Sequence, residues 1–88
     1  MSQLEIQQEQ LRQLQTLHAR TCALMTKFIE GYQCPKLAHL IVSQLGQLIS
    51  YAQSLRITTN QEMYTQLLEH WQTTTNQLLL EQQTRTFH

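Results

Sequence analysis

Residues 35–55 read PKLAHLIVSQLGQLISYAQSL, and this stretch decides the fold. On a helical wheel its apolar side chains spread over about 200°, which is wider than the stripe that one packing partner covers. We therefore expect a central helix with neighbours on two sides. Leu45 and Leu48, on the midline of the apolar arc, should be buried.

Two breaks in helical periodicity bound this stretch. Before it, Gly31 is suited to end a helix and Pro35 to occupy the first turn of the next one. After it, residues 59–62 read TNQE, a capping-box pattern with Thr59 or Asn60 as the N-cap. Because both connections are short, neighbouring helices should be antiparallel.

The breaks predict three helices in a single domain that spans residues 1–88. Helix 1 is expected over about 3–30, helix 2 over about 35–55 and helix 3 over about 60–84. The expected fold is all-α: a three-helix antiparallel bundle, or a helical hairpin with an extended helix 1, completed by self-association or by a partner. The β-branched run 73–75 is the place where helix 3 would break if it ended early.

The size and charge of the chain limit its function. A domain of 88 residues is near the lower end of what one core stabilises, so a partner or a second copy is expected. Six Lys and Arg balance six acidic residues, all of them Glu, and neither sign is concentrated in one stretch. This balance argues against a nucleic-acid groove and against binding to an anionic membrane surface.

The N-terminal stretch lacks the basic start and apolar run of a signal peptide, and no apolar segment approaches the ~18 residues of a membrane span. The sequence therefore predicts a cytoplasmic protein. In that compartment Cys22 and Cys34 should stay reduced, as small apolar residues in or near the core.

Five residues are candidates for a contact with another protein. Small residues at helical spacing form a strip on helix 2 that another helix could approach closely, although a plain solvent face is the alternative interpretation. A glycine inside a helix costs about 1 kcal/mol relative to alanine, which favours a use for it. Two large apolar residues on the outer helices do not fit a folded monomer. The candidates are Ile6, Ser43, Gly46, Ser50 and Leu80.

A zinc site is the sharpest chemical hypothesis, since His18, Cys22, Cys34 and His39 supply the right ligand types. Helical geometry argues against it, because Cys22 should lie some 12 Å from the turn that contains Cys34. The same separation argues against a disulfide between the two cysteines. We expect no metal and no cofactor, and His18 should instead set helix packing or register.

Catalysis has little support in the sequence. The chain has no Asp, and no Gly-rich phosphate loop or nucleophile elbow is present. Glu69 and His70 are adjacent, but side chains one residue apart on a helix point about 100° away from each other. We expect a non-enzymatic protein-binding module, such as an adaptor, a chaperone or a regulator, that docks a helix face onto a partner protein. The alternative is an accessory nucleic-acid-associated regulator that uses helix 2.

Overall fold

A computed structural model describes residues 2–86 of the chain, with side chains as far as residue 83. The chain forms three helices, α1 (Gln3–Ile29), α2 (Pro35–Leu55) and α3 (Thr58–Thr86). They make up about nine-tenths of the described residues, where no strand occurs. The predicted all-α three-helix bundle is therefore confirmed, with helix 2 at the predicted bounds.

The α2 helix is the central element of the bundle. It packs against both α1 and α3, while no Cα atom of α1 lies within 8 Å of one in α3 among the described residues. Leu45 and Leu48 are each 1% exposed, as expected from their place on the midline of the apolar arc. The other residues that α2 buries are Ala38, Ile41 and Ala52.

Aromatic side chains fill the space between α1 and α3. Phe28 and Trp71 meet edge to face with their ring centroids 5.0 Å apart. Ring pairs of this geometry add to stability beyond the effect of the apolar area that they bury. His18 and Tyr64 join the same two helices further along, with ring centroids 5.8 Å apart. The outer helices are therefore held to each other by long side chains rather than by close backbone approach.

The first turn forms as its residues predict. Gly31 has a φ of +124°, a conformation that glycine adopts without steric cost. The Tyr32 N–H donates to the Lys27 carbonyl across it, which satisfies one of the free carbonyls at the end of α1. Pro35 occupies the first turn of α2, where the missing N–H of proline costs nothing.

The second turn differs from the prediction. Arg56 has left-handed backbone angles, and the Ile57 N–H donates to the Ala52 carbonyl. This bond closes α2 within two residues, so α3 begins at Thr58 rather than near residue 60. The predicted capping box was wrong, because Thr59 and Asn60 lie inside the helix.

The threonine run in α3 does not interrupt the helix. The hydroxyls of Thr73 and Thr74 donate to carbonyls four residues earlier, each over 3.1 Å. Thr75, which is buried, does the same to the Trp71 carbonyl over 2.7 Å. Each hydroxyl is thereby satisfied within the helix, as is common for threonine in this setting.

The molecule is elongated, with extents of 60 × 19 × 19 Å. Its radius of gyration is 15.7 Å, compared with about 12 Å for a typical domain of this length. At 1.5 Å per residue α2 is about 31 Å long, whereas α1 and α3 are about 40 and 43 Å long. The outer helices run parallel, so α1 extends past α2 at one end of the bundle and α3 at the other.

Candidate interaction surfaces

The small-residue strip of α2 points away from both neighbours. A Cβ atom built on Gly46 would meet nothing within 4 Å, and Ser43 and Ser50 are exposed. The strip lies on the side of α2 opposite its buried residues, where neither α1 nor α3 covers it. Its contact with another protein stays a prediction.

The two apolar candidates on the outer helices lie near opposite ends of the molecule. Ile6 is 45% exposed on the part of α1 that extends past α2, and Leu80 is 62% exposed on the part of α3 that extends the other way. The five candidate residues therefore do not form one continuous surface. A contact through all of them would need more than one partner surface.

A further surface lies between α1 and α3 on the side opposite α2. On the wheel of α1, one side of His18 faces α2 and the other side faces away from it. The exposed residues within about 40° of His18 on the side away from α2 are all apolar or sulfur-containing. On the wheel of α3, the residues that border this surface lie about 100° from Tyr64 and Trp71. This surface, which we name the α1–α3 face, is formed by Leu4, Leu11, Cys22, Ile29, Met63 and His70.

Large apolar side chains on the α1–α3 face are open to solvent. Ile29 is 76% exposed, Leu4 is 63% exposed, and Leu11 and Met63 are each 40% exposed. Leu4 lies beyond the point where α2 ends, whereas Leu11 is level with the last turn of α2 but turned away from it. On the wheels of the single helices, Leu4, Leu11 and Met63 fall within the apolar arcs, and in the bundle these edges of the arcs stay uncovered.

His18 has the packing role that its mid-helix position suggested. The half-buried imidazole Nδ1 lies 2.8 Å from the Tyr64 hydroxyl and so forms a hydrogen bond between α1 and α3. Burial raises the pKa of Tyr64, and a hydrogen bond from Asn60 opposes this in part. The phenol is therefore neutral over the physiological range and available for that bond.

A second polar link joins α1 to α2. The Thr21 hydroxyl is buried, 2.7 Å from the Leu17 carbonyl and 2.9 Å from Gln44 Oε1. On the helical wheel Thr21 falls within the apolar arc of α1, which predicts burial but no hydrogen-bond partner. The available signal was Gln44, a polar residue at the edge of the apolar arc of α2 and level with Thr21 in an antiparallel pair.

Both cysteines are exposed and unpaired, so the expectation that they lie in or near the core was wrong. Cys22 follows Thr21 and is turned about 100° away from the buried side of α1. Cys34 is the N-cap of α2, where backbone N–H groups of Leu37 and Lys36 lower the pKa of its thiol. It borders an open groove of about 590 Å³ between α2 and α3, beside Pro35, His39, Thr75 and Leu79.

The four residues of the zinc hypothesis are not assembled. Within the described part of the chain, no three His, Cys, Asp or Glu side chains come together as a metal site would require. His18 is instead engaged with Tyr64, and Cys34 and His39 line the groove beside α3.

No helix in residues 2–86 combines the length and the hydropathy needed to span a membrane. Comparisons with protein-family models, with curated proteins and with solved structures found no match to this chain.

Proposed function

We propose that this chain is a small non-enzymatic protein-binding module of the cytoplasm, which acts as an adaptor, chaperone or regulator by docking a helix face onto another protein. One observation carries the proposal. The accessible surface of the chain is 6552 Å², whereas a compact monomer of 10.4 kDa exposes about 5,400 Å². The chain therefore exposes about 1,150 Å² more than expected, which is comparable in size to the roughly 800 Å² that each partner buries in a standard interface.

The chemistry of the surplus surface supports the same function. It includes large apolar side chains in the N-terminal part of α1, such as Leu4, Ile6 and Leu11. Exposed apolar side chains of this size favour contact with protein, since their burial gains about 25 cal/mol for each Å².

Capture from a lysate of the native cell tests the proposal. The immobilised chain should retain one or a few proteins at a fixed ratio to the bait. A Leu4→Gln, Ile6→Gln double variant should retain about tenfold less, since it removes more than 1 kcal/mol of apolar contact without touching the core. A Gln3→Ala, Gln8→Ala variant, changed on the same exposed segment, is the matched control and should retain as much as the unmodified chain.

The same capture experiment, combined with a nucleic-acid binding assay, can also contradict the proposal. If nothing is retained at a fixed ratio, and the chain instead binds duplex nucleic acid with an affinity that falls steeply as salt rises, the alternative of a nucleic-acid-associated regulator replaces this proposal.

A further inference from the structure

We propose that the α1–α3 face is a self-association surface, and that its occupant is the same face of a second copy of this chain. The inference rests on the proposed function in that it names one partner and one surface for a protein-binding module. Two observations carry it: the absence of charge from this face, and the area that the monomer leaves uncovered.

Charged side chains avoid the α1 side of this face. Every charged residue of α1 lies on another arc of the helix, about 80° wide and turned away from the face. These residues are Glu5, Glu9, Arg12, Arg20 and Lys27. The uncharged edge therefore runs the whole length of α1, from Leu4 to Ile29.

The α3 side of the face is uncharged wherever it lies beside α1. Glu62 and Glu69 are turned about 100° away from Met63 and His70. Glu81 points the same way as Met63, but it lies on the part of α3 that extends past the end of α1. The centre of the face is thus free of charge on both helices.

An uncharged apolar face selects its partner. Interface centres are depleted in charged residues, because a buried charge without a partner costs several kcal/mol. A second α1–α3 face meets this condition, since it brings apolar side chains and no charge to the centre. Pairing of like faces is also the commonest form of homodimer, in which one two-fold axis relates both sides of the contact.

The exposed surface of the chain is large enough for such a pair to form. The monomer exposes 6552 Å², about 1,150 Å² more than a compact chain of its mass. A stable dimer needs about 800 Å² from each copy. The surplus of the whole chain is therefore at least as large as the area that one copy buries in a stable dimer.

Sedimentation equilibrium over a micromolar concentration range tests the proposal on the full chain. The expected mass rises from that of one 10.4 kDa chain to twice that value, and the association persists in high salt because the contact contains no ion pair. Ile29→Glu and Met63→Glu should each raise the dimer dissociation constant about 100-fold or more, since the symmetry places two unpaired carboxylates in the contact. Circular dichroism checks that both variants remain folded, which their exposure allows.

Ser50→Glu is the matched control, because it adds the same charge to the exposed strip of α2. It should change the dissociation constant by less than about twofold. A dimer that resists Ile29→Glu and Met63→Glu but is lost in Ser50→Glu would overturn the proposal in favour of the α2 strip. A chain that stays monomeric throughout the concentration range would overturn it outright.

The two cysteines provide a second readout that needs no mutation. Cys22 lies on the α1–α3 face, whereas Cys34 lies at the turn before α2, beside the groove with α3. Raising the protein concentration increases the fraction of dimer. Where the dimer predominates, alkylation of Cys22 should be slower by about tenfold or more, whereas the alkylation rate of Cys34 should not change. Equal rates for Cys22 in monomer and dimer would contradict the proposal.

These results separate the proposal from the function on which it rests. A monomeric chain that still captures a partner protein refutes self-association and leaves the binding module in place. A dimer that captures nothing from the lysate retains the self-association surface and removes the adaptor role.

Discussion

At the scale of single residues, stability should depend strongly on the midline of α2. Leu45 and Leu48 are buried among side chains from the rest of the bundle. Replacing either with Ala should lower the free energy of unfolding by about 2–5 kcal/mol, because lost transfer energy and a residual cavity add together. Urea denaturation followed by circular dichroism measures the loss. A decrease below about 1 kcal/mol at both positions would contradict the central place of α2.

Tyr64 makes a pH-dependent contribution. Burial raises the pKa of its phenol in the folded chain, so its stabilisation is fully present below the unfolded pKa of about 10 and is lost as pH rises further. Tyr64→Phe should lower the free energy of unfolding by about 1 kcal/mol at neutral pH, through loss of the bond to His18. The difference between the two proteins should narrow in alkali. A constant difference up to strongly alkaline pH would refute this role.

Cys34 should react as a thiolate at lower pH than the same residue in the unfolded chain. Two backbone N–H groups at the start of α2 lower the pKa of the folded thiol. The associated stabilisation is present above the unfolded pKa and is lost as pH falls through the folded value. This stabilisation is small because the Cys34 thiol is exposed to solvent. Alkylation rates measured against pH, with and without denaturant, should give a lower midpoint for the folded chain; coincident midpoints would contradict it.

At the scale of the helices, Gly46→Leu tests the exposed strip of α2. The new side chain enters open space in mid-helix, so the subunit should gain about 0.5–1 kcal/mol of stability from helix propensity. Its effect on association distinguishes the two candidate surfaces. An unchanged dimer agrees with pairing through the α1–α3 face, whereas a weakened dimer indicates that another helix approaches the strip.

The sequence predicts the helices well and the surfaces poorly. Apolar periodicity, Gly31 and Pro35 were sufficient for three helices and for the bounds of α2. The start of α3 was missed because Arg56 adopts left-handed angles, which are uncommon for a residue other than glycine, and so shortens the turn between α2 and α3. The partners of Thr21 and the exposure of Leu11 depend on how the three helices pack against one another. A wheel drawn for one helix contains no such information.

At the scale of the whole molecule, the bundle is two helical hairpins that share α2. Each hairpin joins helices that are neighbours in sequence, whereas α1 and α3 meet only through long side chains such as Phe28 and Trp71. Its contacts are therefore mostly local, which favours folding on a microsecond to millisecond scale.

The hairpin arrangement leads us to expect that contacts within the hairpins form before contacts between the outer helices. On this prediction either hairpin forms around α2 first, and the aromatic contact between the outer helices forms last. Phe28→Ala should then raise the unfolding rate and leave the refolding rate nearly unchanged, as stopped-flow measurements over a range of urea would show. A refolding rate that falls in proportion to the lost stability would mean that this contact already exists in the folding transition state.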